Sequence, residues 1–111
     1  MRYFGKGRFK QKKAGTMNGL EAGYARYLTE LQHTGVIEKY WFESFKIRLA
    51  DKTWFTPDFL VLTADGFLEF HETKGFMFED ANVKLKVAAE SWPFKFILVK
   101  KLKGQWEFKE I

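Results

Sequence analysis

The stretch that decides the fold is WFTPDFLVLTADGFLEFHETKG, residues 54–75. Residues 54–63 and 67–73 are rich in aromatic and β-branched side chains and flank Ala64-Asp65-Gly66, so they predict two antiparallel strands joined by a hairpin. Loop length sets the register. A three-residue loop with Gly66 in the left-handed conformation pairs Thr63 with Phe67, and counting back along both strands sets Asp58 opposite Glu72. A two-residue Asp65-Gly66 loop would set Asp58 opposite Thr73 and separate the carboxylates. Glycine at the left-handed position favours the longer loop.

Outward from the hairpin, residues 18–33 carry Leu20, Tyr24, Tyr27, Leu28 and Leu31 at helical spacing, with Asn18 as N-cap and Gly35 as stop signal. Glu21, Ala25 and Leu28 also share one side, which sets Glu21 at the margin of the buried stripe, where a carboxylate needs a partner. Residues 36–49 predict a strand and Asp51-Lys52 a turn. A second helix is expected over residues 79–91, with Ala81, Leu85, Ala88 and Trp92 on one face and Pro93 at its end. Residues 94–100 and 105–110 predict two more strands around Lys103-Gly104. The order αβββαββ implies one α/β domain, a mixed central sheet flanked by helices.

The chain has 111 residues, a 46% hydrophobic share and 19% aromatics, which suit one well-filled globular core. It has no cysteine, which excludes thiol catalysis and cysteine-ligated zinc. The two-histidine pattern of a zinc site and the glycine-rich loop of a nucleotide-triphosphate motor are also missing. Neither a signal-like leader nor an apolar run of membrane length occurs, so a soluble, intracellular (cytoplasmic) protein with no membrane partner is expected. The net charge of +5 is segregated. Residues 1–17 hold Arg2, Lys6, Arg8, Lys10, Lys12 and Lys13 without an acid, residues 95–111 hold five lysines against Glu107 and Glu110, and the centre is acidic. The division expected is a basic flexible arm over residues 1–17 and a folded domain over 18–111. Basic ends around an acidic centre suit a polyanion drawn toward carboxylates that hold cations.

On a strand Glu72 and Lys74 project to one side. Asp58 and Glu72 side by side repel, and a hard divalent cation such as Mg²⁺ or Mn²⁺ offsets that cost most simply. Lys74 beside them could hold an attacking water or stabilise charge on phosphorus. The competing explanation is a cross-strand acid pair neutralised by Lys74. His71 should face away from Glu72, and His33 sits at a helix end; both read as structural. Lys84 and Lys86 on the second helix are candidate phosphate contacts.

Pro57-Asp58, then Glu72-Thr73-Lys74, resembles the signature of the PD-(D/E)XK nuclease superfamily, within which the wording is most similar to small phage-type endonucleases and Holliday-junction resolvases. The resemblance spans roughly residues 18–100. It implies an αβββαβ restriction-endonuclease-like core and metal-dependent DNA hydrolysis, with branched DNA such as Holliday junctions as the expected substrate. A homodimer is also implied, and the host cytoplasm as location if the protein is phage-encoded. It further implies Asp58, Glu72 and the Thr73 backbone carbonyl as metal ligands, Lys74 as catalytic lysine and Glu21 as the helix acid. Thr73 at a position that is often apolar, and His71 next to Glu72, depart from the pattern without removing a ligand. The alternative is a non-catalytic nucleic-acid-binding module on the same fold. For a dimer, the amino-terminal arm and the end from Trp106 to Ile111 are the expected surface, since aromatics are enriched at interfaces.

Overall fold

In the computed structural model, which describes residues 15–75 and 79–111 (backbone alone for 79–82), a capping box opens the first helix, α1 (Gly19–His33). Asn18 Oδ1 accepts from the Glu21 amide at 2.8 Å, and Glu21 Oε1 accepts from the Asn18 amide at 2.9 Å. Two donors that a helix start would otherwise leave unpaired are thereby satisfied. α1 buries Glu21, Tyr24, Ala25 and Leu28. It stops where Gly35 takes φ 83° and the Val36 amide reaches back to the Leu31 carbonyl at 2.9 Å, the left-handed helix ending that glycine permits.

Among the described residues, seven strands and a second helix follow: β1 (Ile37–Phe42), β2 (Ile47–Ala50), β3 (Thr53–Phe55), β4 (Phe59–Thr63), β5 (Leu68–Lys74), α2 (Glu79–Ser91), β6 (Lys95–Leu102) and β7 (Gln105–Glu110). Five form a mixed sheet in the order β1-β4-β5-β6-β7, while β2 and β3 pair separately. β5 and β6 are parallel, and α2 makes the crossover that parallel neighbours require. This is the expected α/β domain, with two differences inside its β regions.

The strand expected over 36–49 breaks after Phe42, because Glu43 takes φ 49°, outside the extended region. The strand expected over 54–63 breaks at Thr56-Pro57-Asp58, where Pro57 has no amide to give a ladder. The residues beyond the two breaks, β2 and β3, fold as a small hairpin against α2. Ile47 and Phe55 share a buried cluster with Leu85 and Ala88 of α2 and Leu60, Phe70, Phe96 and Leu98 of the sheet. On the opposite face Tyr24, Ala25 and Leu28 pack on Ile37, Phe59, Val61 and Val99. The interior strand β4 is thus buried on both sides: Phe59 and Val61 meet α1, and Leu60 meets α2.

The end of the chain serves the same core. The Trp106 ring meets Tyr24 edge-on at 5.0 Å, and the Ile111 amide donates to the Phe96 carbonyl at 2.9 Å. Trp106 and Ile111 therefore pack within the chain that carries them. Met17, counted with the arm in the sequence, packs against the α1 cluster. Residues 1–14, which hold the six basic side chains of the arm, lie outside the described residues. Among the described residues no helix is long and apolar enough to cross a membrane.

The hairpin loop holds the expected register. The Thr63 amide donates to the Phe67 carbonyl at 2.8 Å, the Gly66 amide to the Thr63 carbonyl at 3.0 Å, and Gly66 has φ 93°. A Cβ on Gly66 would meet nothing within 4 Å, so backbone conformation alone opposes a side chain there. Gly66→Ala should therefore lower stability in urea unfolding by about 1–2 kcal/mol. Gly66→Asn should cost clearly less, since asparagine tolerates positive φ. Equal stability of all three proteins would show that this turn does not hold the register.

Candidate functional site

The expected acids and lysine meet at one end of the sheet, where β5 finishes and α1 begins. β4 and β5 pair with Phe59 opposite His71 and Leu60 opposite Phe70. One step further sets Asp58 against Glu72, and side-chain bonds fix that step. The Asp58 amide donates to Glu72 Oε1 at 2.9 Å, while Asp58 Oδ2 accepts from the Thr73 amide at 2.8 Å and from Thr73 Oγ1 at 2.7 Å. Each carboxylate thus holds the other strand's backbone. In an extended strand the N–H and C=O of one residue point to the same edge, so the Thr73 carbonyl also faces the Asp58 side.

Three of the charged groups here are buried: Glu21 is 5% exposed, Asp58 8% and Lys74 6%. Glu21 reaches this point because it is the third residue of α1 and because Gly75, leaving β5, passes close to Leu20. Lys74 closes β5 on the same strand face as Glu72 and Phe70, by alternation. Glu72 is half-buried, and its pKa is pushed up to about 8, first by loss of water and then by the neighbouring Asp58 charge. The Asp58 amide and the Lys74 ammonium pull in the opposite direction, and Glu21 adds further repulsion. The four residues therefore share one electrostatic environment.

Glu43 joins them, and nothing in the sequence reading singled it out. Glu21, Glu43 and Asp58 each offer a carboxylate oxygen, and the three atoms lie within 4.8 Å of one another. Glu72 does not belong to that group of three, which adds Glu43 to the acids expected from the sequence. The backbone explains why. The Glu43 amide donates to the Asp58 carbonyl at 2.8 Å, one step past the Phe42–Phe59 pair, and the turn to φ 49° ends β1 beside Asp58. Glu43 Oε1 also accepts from the Gly15 amide at 3.0 Å. The available signal was a lone acid in the aromatic run Tyr40-Trp41-Phe42-Glu43-Ser44-Phe45. A strand read straight through that run conceals it.

The remaining sequence candidates lie elsewhere. His71 is buried on the α1 face, with Nδ1 2.7 Å from the Tyr24 hydroxyl and Nε2 2.9 Å from Glu69 Oε1. That chain satisfies both ring nitrogens in the core. His33 is exposed in the last turn of α1. Lys84 and Lys86 are exposed on α2, and Lys84 Nζ lies 3.2 Å from the Trp54 carbonyl.

The raised Glu72 pKa fixes the sign of a pH effect. Between the unfolded value near 4.5 and the folded value near 8, the folded chain binds the extra proton, so stability falls as pH rises through that window. Metal-free protein should unfold at lower urea at pH 8 than at pH 5, and Glu72→Gln, which holds no titrating proton, should reduce that difference. The same pH dependence in the variant would place its origin at another group. Comparison with protein-family models, with curated proteins and with solved structures found no match, and the residues at this end of the sheet are what a functional reading rests on.

Proposed function

We propose that this chain is a divalent-metal-dependent endonuclease that hydrolyses DNA phosphodiester bonds, acting on branched DNA. The observation that carries the reading is the convergence of Glu21, Glu43, Asp58 and Glu72 with a buried Lys74 at one end of the sheet. The resemblance of Pro57-Asp58…Glu72-Thr73-Lys74 to PD-(D/E)XK nucleases supports it, as does the basic charge of the chain. The donor set is all oxygen, the chemistry that Mg²⁺ and Mn²⁺ select. Asp58 would hold the ion with Glu21 and Glu43, and Glu72 with the Thr73 carbonyl would complete its surroundings.

A bound ion would supply Lewis-acid stabilisation of charge on the phosphoryl oxygens. The protein's own groups do the rest. Lys74 offers ammonium donors to a phosphate oxygen or to the incoming water, held in place by the buried end of β5. Glu72, whose pKa is raised by burial and by the Asp58 charge, would have to be deprotonated to hold a cation, which would couple metal binding to pH. Basic residues 2–13, together with Lys84 and Lys86, draw the phosphate backbone toward the site. Two copies on a two-fold substrate would make paired cuts.

Asp58→Asn is the informative variant. Asp58 accepts two hydrogen bonds from Thr73, so Asp58→Ala removes strand–strand bonds as well as a ligand and confounds folding with activity. With Mg²⁺ or Mn²⁺ and a panel of linear, flapped and four-way DNA, wild type should cut, and Asp58→Asn should lose at least about a hundredfold in rate, the scale of losing one transition-state electrostatic group. Lys74→Ala should slow cutting with Mn²⁺ affinity nearly retained. DNA binding without cutting by wild type would instead assign a non-catalytic binding module.

The arm gives a separate expectation. Deleting residues 1–14 should weaken DNA binding and flatten its salt dependence, by roughly 0.9 in log–log slope for each phosphate that the arm neutralises. An unchanged slope would remove the arm from the interface.

A further inference from the structure

On the same side of the sheet as Glu72 lies a cavity of about 340 Å³ that the proposed chemistry does not use. Its lining is five aromatic rings, three aliphatic side chains, Lys46 and Arg48. Phe70 of β5 sits centrally. The Phe45 and Phe94 rings stand at 77° and 78° to it, with centroids 6.2 and 5.5 Å away, so they rise from a Phe70 floor. Trp92 lies within 10° of parallel to Phe94 at 6.3 Å, which doubles that wall. The result is a slot with flat aromatic sides. Trp54 and Phe45 of its lining remain 44% and 53% exposed, so apolar ring surface stays open to solvent there.

Charge at the rim selects the occupant. Lys46 Nζ lies 5.8 Å from the centre of the Trp54 ring, Arg48 is held loosely by exposed Asp51 at 3.8 Å, and Lys84 Nζ reaches the Trp54 carbonyl. An apolar protein segment would strip water from these cations without pairing them. A nucleotide matches both parts, with its ring between the aromatic walls and its phosphate at the cations. The Trp92 indole nitrogen, the polar handle nearest the walls, already donates to the Arg48 carbonyl at 3.0 Å. The slot therefore recognises a ring face and tolerates any base. Phe70 precedes Glu72 by two residues on the same strand face, an offset of about 7 Å.

We propose that this aromatic slot is a binding site for an unstacked nucleobase of single-stranded or branched DNA, adjoining the acidic centre. The proposal rests on the nucleic-acid reading above and names which part of the substrate the protein grips. Unpaired bases at a junction or flap are the bases free to enter it.

The test uses the full chain in EDTA, so that binding is read without cleavage. Fluorescence anisotropy would compare a labelled short oligothymidine with an abasic phosphodiester of equal length. Wild type should prefer the base-bearing strand by about tenfold, the contribution of one base–aromatic stack. Trp54→Ala and Phe45→Ala should each shrink that preference, and Trp54→Phe should keep most of it. Equal binding of the two strands by wild type, or an undiminished preference in both alanine variants, would overturn the slot. A change of sedimentation mass in those variants with the preference intact would also overturn it, in favour of a self-association face. Metal-dependent cutting without any base preference would sink the slot alone, whereas failure to bind either strand would sink the nucleic-acid reading with it.

Discussion

The structure turns on the reciprocal clasp between Asp58 and the end of β5. Asp58 takes two hydrogen bonds from Thr73 and gives its amide to Glu72, so the entry of β4 is tied to the exit of β5 by side chains where the ladder proper has ended. Hydrogen bonds to a charged acceptor contribute about 1.5–3 kcal/mol each. That is enough to hold two acids together at a position where repulsion alone would part them. The α1 start, Glu43 at the end of β1 and Lys74 at the end of β5 all converge on this point.

The clasp also leaves a conflict in place. Burial and the Asp58 charge raise Glu72, while Lys74 only partly compensates. In a purely structural hairpin such a conflict is a standing cost that a substitution could relieve. It becomes useful if the carboxylates are meant to meet a cation, because the ion then removes the repulsion and takes up the protons' place. Groups with strongly displaced pKa values collect at functional sites for this reason. Next to it on the same strand face stand aromatic rings with cations at their rim. The two regions share a sheet face, and under the proposed function they would divide a nucleic acid between its phosphate and its bases.

Much of this was legible in the sequence. The Ala64-Asp65-Gly66 loop specifies the register, because glycine at positive φ admits a three-residue turn, and from it the Asp58–Glu72 juxtaposition follows by counting. Asn18 announced α1, and the 21, 25, 28 spacing brought Glu21 inward. What escaped was local backbone geometry. Pro57 could have flagged the break before β4, but the break after Phe42 depends on Glu43 adopting φ 49°, which no propensity scale anticipates for glutamate. With it the fourth acid of the cluster was missed. The contact of Trp106 with Tyr24 on α1 also escaped, because it joins residues far apart in the chain and periodicity does not encode it.

The central claim is that the acids at the end of β5 hold a divalent ion. The most direct test is anomalous scattering from crystals of the chain grown with Mn²⁺. A peak should appear about 2.1 Å from an Asp58 carboxylate oxygen, the usual spacing for a small hard cation, with at least one of Glu21, Glu43 and Glu72 sharing it. Crystals that show no peak there at saturating Mn²⁺, with Asp58 still bonded to Thr73 and Glu72 still bonded to the Asp58 amide, would contradict the claim and leave the clasp a structural device.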